Sequence, residues 1–113
     1  MPPVQVYVNS QRLPEEATID DGRVLVPLRS IMEALGASVQ WDAGTETITA
    51  QKQGLVISLK ISSKTGYCNN KPVSLDTPAK IKNGRTMVPA RFVSESFGST
   101  VQWDNNSRTV YIK

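Results

Sequence analysis

The chain has 113 residues, of which 39% are hydrophobic and 20% charged, a composition typical of a globular domain rather than a disordered segment. It contains no histidine and a single cysteine, Cys68, which excludes imidazole-based catalytic triads and zinc or copper sites with several His or Cys ligands. The net charge of +3 divides unevenly, with four basic and seven acidic residues over 1–59 (−3) and nine basic and three acidic over 60–113 (+6). Such a difference is either ordinary surface variation or complementary charge that helps the halves, or neighbouring molecules, to associate.

The first predicted element is a strand over 4–8, in which apolar residues alternate before the turn at Asn9 and Ser10. A similar stretch, 67–71, recurs in the second half of the chain. Because asparagine tolerates the positive φ of a tight turn, both stretches predict a hairpin. The residues that follow, around Pro14, are expected to be irregular.

A short strand is predicted next at 23–26, and again at 85–88, each leading into a helix whose apolar residues lie on one face. Both helices are expected to begin at a proline, to end at a glycine and to carry an arginine four residues before a glutamate. These residues are Pro27, Gly36, Arg29 and Glu33 in the first helix, and Pro89, Gly98, Arg91 and Glu95 in the second. The spacing favours structural ion pairs over anion-binding sites.

Each helix is followed by two further predicted strands, at 38–41 and 47–51 in the first half and at 100–103 and 109–113 in the second. Trp41 and Trp103 are in phase with a valine two residues earlier, which predicts that they pack in the core rather than bind sugars. The loops that join these strands begin with an aspartate and are too short to surround calcium, so they are interpreted as turns. A half-buried strand is also predicted between the two halves, over 55–62.

Residues 22–50 align without gaps on residues 84–112, with 12 identities in 29 positions. This self-similarity predicts two copies of one unit, repeat 1 over 1–62 and repeat 2 over 63–113, sharing one compact domain. The expected fold class is α+β, with two tandem β-β-β-α-β-β repeats whose mostly antiparallel, curled sheets each pack on one helix.

The chain resembles the copper amine oxidase N-terminal-like domain, also called the stalk domain, at residues 26–29, 36–42 and 83–93. Residues 67–73 also resemble this family, with Asn70 in place of the family's usual glycine. The resemblance covers nearly the whole chain, in two copies. It implies a sheet wrapped around a helix and an origin in secreted or wall-attached proteins of Gram-positive bacteria. The family's oxidase activity belongs to a separate domain with three histidine ligands and a modified tyrosine, so no copper site carries over to this histidine-free chain.

We therefore expect a non-catalytic accessory or stalk domain of a secreted or cell-surface bacterial protein, which acts as a spacer or a protein-interaction module without a cofactor. Its expected partners are other domains of the parent protein, or a second copy of itself. The expected location is extracellular or cell-wall associated, although no signal-peptide pattern follows Met1. Nucleic-acid binding and membrane insertion are not expected, because no recognition motif and no sufficiently long apolar segment is present.

The alternative hypothesis is a module that binds a polysaccharide or another cell-wall polymer. The candidate surface consists of aromatic residues for sugar rings and lysines for an anionic polymer: Tyr7, Tyr67, Phe92, Tyr111, Lys80 and Lys82. An enzyme that uses only aspartate and glutamate is disfavoured, because two small repeats leave little room for a catalytic cleft.

Overall fold

Thirteen strands and two helices make up the described part of the chain, residues 4–20 and 22–113 of a computed structural model. The strands are β1 (Gln5–Val8), β2 (Gln11–Arg12), β3 (Thr18–Asp20), β4 (Arg23–Pro27), β5 (Ser38–Asp42), β6 (Thr47–Lys52), β7 (Leu55–Lys60), β8 (Thr65–Cys68), β9 (Lys71–Ser74), β10 (Lys80–Lys82), β11 (Arg85–Pro89), β12 (Val101–Asp104) and β13 (Thr109–Ile112). The helices are α1 (Leu28–Ala34) and α2 (Ala90–Phe97).

These strands form three sheets, which we call the terminal, central and five-stranded sheets. Their strand orders are β12-β13-β1-β2, β10-β11-β4-β3 and β5-β6-β7-β8-β9, respectively. Among the described strands, β1 and β13 pair in parallel and the remaining pairs are antiparallel. Mostly antiparallel sheets with two helices agree with the predicted α+β class.

The central sheet joins the two halves of the chain at a pair of valines. Strands β4 and β11 run antiparallel, and Val26 lies directly opposite Val88. Both valines are fully buried, and each strand continues immediately into a helix. Since the two strands are antiparallel, α1 and α2 begin at opposite ends of this strand pair.

Helix α1 forms because its apolar residues fall on one face, with Ile31 and Met32 fully buried. It ends where Gly36 adopts φ +91°, a conformation that favours glycine. The N–H of Gly36 donates to the carbonyl of Glu33, and the N–H of Ala37 donates to the carbonyl of Met32, so the last turn is closed by hydrogen bonds. Helix α2 also ends at a glycine with positive φ, Gly98 at +67°, whose N–H donates to the carbonyl of Ser94 at 3.0 Å.

Two details of the predicted elements are wrong. Pro27 and Pro89 are the last residues of β4 and β11, one position before the helices rather than within their first turn. The stretch expected to be irregular contains β3, whose Ile19 lies opposite Val24 of β4. The structure thus has four strands before α1 where the sequence predicts three.

The core lies between the sheets and the two helices, and both halves of the chain contribute to it. Its largest fully buried side chains come from α1 and α2 and from the inner faces of all three sheets. They include Phe92, Leu25, Leu28, Ile31, Met32, Ile57, Leu59 and Ile112. Each sheet combines strands from residues 1–62 with strands from residues 63–113, and both helices pack on the central sheet, so the sheets are not divided into one per helix as expected.

Candidate functional site

One surface depression with mostly apolar walls is a groove of about 530 Å³, which we call the tryptophan groove. It is lined by Glu15, Pro27, Arg29, Ser30, Val39, Trp41, Ile48, Ile81, Gly84, Arg85 and Thr86. These residues come from positions far apart in the sequence, so the groove exists only in the folded chain.

The groove lies where the five-stranded and central sheets both reach an edge. One wall is the inner face of β5 and β6, on which Trp41 lies opposite Ile48. The other wall is the hairpin of β10 and β11, on which Ile81 lies opposite Thr86. The start of α1, with Arg29 and Ser30, lies between the two walls. Strands β5 and β10 are each at the end of the strand order of their sheet, and both contribute side chains to the groove.

Trp41 is 41% exposed and Trp103 is 38% exposed, so the prediction that both indoles pack in the core is wrong. The phase with the preceding valines is as predicted, but β5 and β12 are edge strands, and an edge strand has a neighbour on one side only. The two rings are therefore covered incompletely. Trp41 faces the groove, whereas Trp103 lies against a separate depression beside Tyr111.

Charged side chains form the rim of the tryptophan groove. Arg29 Nε lies 3.5 Å from Glu33 Oε2, and the hydroxyl of Ser30 donates to the carboxylate of Glu15. Arg85 donates through Nη1 to the carbonyl of Asn83 at 3.4 Å. Within the described residues Arg85 forms no ion pair with a carboxylate, so its positive charge remains available at the rim.

The groove continues beyond Glu15 and Arg85 into a second depression of about 230 Å³, to which Glu16 and Lys82 contribute. The two depressions share Glu15 and Arg85. Together they form one elongated surface, apolar at the Trp41 end and charged at the other.

The four aromatic residues proposed for sugar binding do not form one surface. Tyr7 and Tyr111 are cross-strand neighbours in the terminal sheet, with ring centroids 5.5 Å apart and planes inclined by 28°. Tyr67 lies on β8 of the five-stranded sheet and is 45% exposed. Phe92 is 1% exposed, so its assignment to a binding surface is wrong. Its ring lies in the core because Gly66 on β8 leaves room for it.

The two lysines proposed to bind an anionic polymer lie on β10, a strand that the sequence did not predict, and they differ in their surroundings. Lys80 forms an ion pair with Asp20 of β3, across the central sheet from its own strand. Lys82 is exposed and borders the charged end of the groove. Ile81, between them, is 49% exposed and lines the groove. Sequence analysis missed Ile81 as a surface residue, because a single apolar residue between lysines is equally typical of a strand that faces inward.

Arg91 and the turn aspartates Asp42 and Asp104 have local structural partners. Arg91 lies 3.7 Å from both Glu95 and Asp76. Asp42 Oδ1 accepts hydrogen bonds from the N–H groups of Gly44 and Thr45, at 2.9 and 3.3 Å. Asp104 Oδ1 accepts bonds of the same two lengths in the corresponding turn of the second half. These carboxylates hold turns together.

Residues 4–20 and 22–113 contain no cluster of three or more His, Cys, Asp or Glu side chains that could hold a metal ion. No helix there is long and apolar enough to cross a membrane. Cys68 is a free, half-buried thiol that donates to the carbonyl of Ser96 at 3.4 Å.

Comparison with known proteins finds a match to the family model described as the copper amine oxidase N-terminal domain, over residues 7–112. A protease inhibitor of Brevibacillus choshinensis is 31% identical over 109 residues, which cover 95% of this chain and 33% of the inhibitor. A primary amine oxidase of Klebsiella aerogenes is 33% identical over 75 residues, which cover 66% of this chain and 10% of the oxidase. The chain thus spans a third of the first relative and a tenth of the second.

Proposed function

The chain belongs to the family of the copper amine oxidase N-terminal domain, and on this premise we propose that it is an accessory module that binds a protein partner. The N-terminal domain is a non-catalytic part of the amine oxidases. The absence of histidine from the sequence agrees with a role that involves no copper chemistry. The module would act within a larger protein, either on another domain of that protein or on a separate one.

The observation that carries this proposal is the tryptophan groove. Trp41 and Ile81 expose a large fraction of their apolar surface on opposite walls of one depression. Tryptophan is among the residues that contribute most to protein interfaces, and apolar residues that converge in a depression are typical of interaction sites. The relative named as a protease inhibitor acts, by its name, on proteins, which also supports a protein partner.

We propose that the chain consists of two copies of one unit, which meet at the pair of valines in the central sheet. The equivalent residues Val26 and Val88 face each other there, and the equivalent carboxylates Asp42 and Asp104 make the same turn contacts. We place the module in a secreted or cell-wall-attached protein, where it would also separate its neighbouring domains.

A polysaccharide partner remains the second candidate, because the outer face of the five-stranded sheet has suitable chemistry. One row across this sheet consists of Gln40, Thr49, Ser58 and Tyr67, each directly opposite the next. The row contains amide and hydroxyl groups and an exposed aromatic ring, without a charged side chain. Tyr7 and Tyr111 are less suitable, because their rings stack on each other and cover part of the surface that a sugar would need.

The two functions can be separated by sedimentation of the protein with Gram-positive cell walls, before and after the walls are treated with a protease. A protein partner predicts binding that disappears after protease treatment. Binding that persists on treated walls or on purified polysaccharide would favour the second candidate, and Tyr67→Ala should then weaken it. If the protein sediments with neither preparation, the module does not bind a wall-attached protein, and a spacer role is the better account.

A further inference from the structure

We propose that the tryptophan groove binds an extended segment of the partner in which an apolar side chain stands beside acidic ones, and that this segment adds a strand along β5. This inference depends on the proposed protein-binding function and specifies its ligand. Three features of the groove support it: an open strand edge, an apolar wall and an unpaired positive charge.

The open edge belongs to β5. This strand pairs with β6 on one side and is the first strand in the order of its sheet, so its other side has no strand partner among the described residues. Backbone N–H and C=O groups at such an edge are free to pair with an added strand, a common mode of peptide binding. The five residues of β5 span about 17 Å, which is enough for about five residues of a partner segment.

The apolar wall selects one side chain of that segment. Trp41 projects from β5 itself, and Ile81 faces it from the edge strand of the central sheet. Side chains of an added strand would alternate between the groove and solvent. An aliphatic or aromatic side chain on the groove side would then cover the exposed surfaces of both residues.

The charged residues at the rim of the groove determine which residues of the bound segment fit next to that apolar side chain. Arg85 has no carboxylate partner within the described residues. Arg29 Nε lies 3.5 Å from Glu33 Oε2, and both of these side chains are exposed to solvent. Arginine forms strong, directional pairs with carboxylates. Glu15, on the same rim, accepts a hydrogen bond from Ser30, so one of its oxygens is already engaged. The residues that line the two depressions include three basic side chains, Arg29, Arg85 and Lys82, and two acidic ones, Glu15 and Glu16, so a segment with a small negative charge fits this rim better than a basic one.

The test is selection of peptides from a phage-displayed library of random dodecapeptides on the folded protein, followed by affinity measurement with synthetic copies of the enriched peptides. We expect enriched peptides to combine aspartate or glutamate with an aliphatic or aromatic residue. Their affinity should fall by at least about 30-fold in Trp41→Ala, the range of a hot-spot residue. It should also fall in Arg85→Glu and decrease as salt is raised.

The chain supplies a matched control for each variant. Trp103 occupies the same Val-Gln-Trp-Asp sequence on another edge strand and is exposed to a similar extent, but it does not line the groove. Trp103→Ala should therefore leave peptide affinity unchanged, and Lys71→Glu should match Arg85→Glu in charge change without its loss of affinity. In a Trp103→Phe variant Trp41 is the single tryptophan, and its emission should shift to shorter wavelength when a peptide covers it.

The proposal is overturned if no peptide is enriched over an unrelated immobilised protein, if the enriched peptides are basic, or if Trp41→Ala and Trp103→Ala change affinity equally. The cell-wall assay distinguishes this failure from failure of the proposed function. Binding to walls that is sensitive to protease but unaffected by Trp41→Ala would mean that the module binds proteins through another surface.

Discussion

Gly66 illustrates how a single atom can control packing in this protein. A Cβ at this position would lie 2.7 Å from Phe92 Cε1 and 2.9 Å from Phe92 Cζ, closer than such contacts occur in folded proteins. Gly66 is not at a positive φ, so this position requires glycine because of the space available and not because of the backbone conformation. The ring of Phe92 is 1% exposed and has little freedom to move away.

We predict that Gly66→Ala lowers the free energy of unfolding by about 1–3 kcal/mol, the usual cost of overpacking a core. Urea denaturation followed by circular dichroism would measure the change. The double variant Gly66→Ala/Phe92→Leu should lose less stability than the two single changes together, because leucine vacates the space that the new methyl group needs. Strict additivity of the two changes would show that the contact with Phe92 is not the cause.

At the scale of elements, α1 is a short helix whose C-terminus depends on a neighbouring strand. It has seven residues and no side-chain hydrogen bond at its N-cap. At its other end, Lys52 Nζ from β6 donates to the carbonyl of Leu35 at 2.6 Å. The ammonium group satisfies a carbonyl that has no partner within the helix, and it lies at the negative end of the helix dipole.

Lys52→Met should therefore lower the free energy of unfolding by about 0.5–1 kcal/mol, since it keeps the apolar stem but removes the charge and the donor. The same substitution at Lys60, an exposed lysine on the adjacent strand β7, is the control and should have a smaller effect. Equal effects of the two substitutions in urea denaturation would contradict the capping role of Lys52.

Local sequence patterns predict the helices and strands of this protein better than they predict which strands lie at the edges of its sheets. The positions of Ile31, Met32 and Gly36 indicate where α1 packs and where it ends, because helix periodicity and the left-handed conformation are local properties. Trp41 shows the limit. Its spacing of two residues from Val39 predicts that both side chains lie on the same face of β5, but its exposure depends on β5 being an edge strand, which is decided by long-range pairing. The tryptophan groove could not be predicted for the same reason.

At the scale of the whole molecule, pairings between distant parts of the chain connect the three sheets. Strand β1 pairs with β13, and β4 pairs with β11. Each helix packs against the central sheet, which contains strands from both halves. Loss of either half would expose apolar surface of the other, so we expect the two halves to unfold together.

Single-tryptophan variants can test this cooperativity. Trp103→Phe leaves Trp41 as a reporter on the five-stranded sheet, and Trp41→Phe leaves Trp103 as a reporter on the terminal sheet. Within each variant, the urea transition seen by fluorescence should coincide with that seen by circular dichroism. Two separated transitions would instead indicate that the halves are independently stable units.

The parallel pairing of β1 and β13 has a mechanical consequence. Val4 directly precedes β1 and Lys113 directly follows β13, and both strands point the same way. A force that pulls these two residues apart would slide β1 lengthwise along β13, loading the backbone hydrogen bonds between the four registered residue pairs simultaneously. An antiparallel hairpin pulled at its open end breaks one bond after another. Tension applied between Val4 and Lys113 would therefore load these hydrogen bonds in shear rather than one at a time, which would suit the spacer role that we propose.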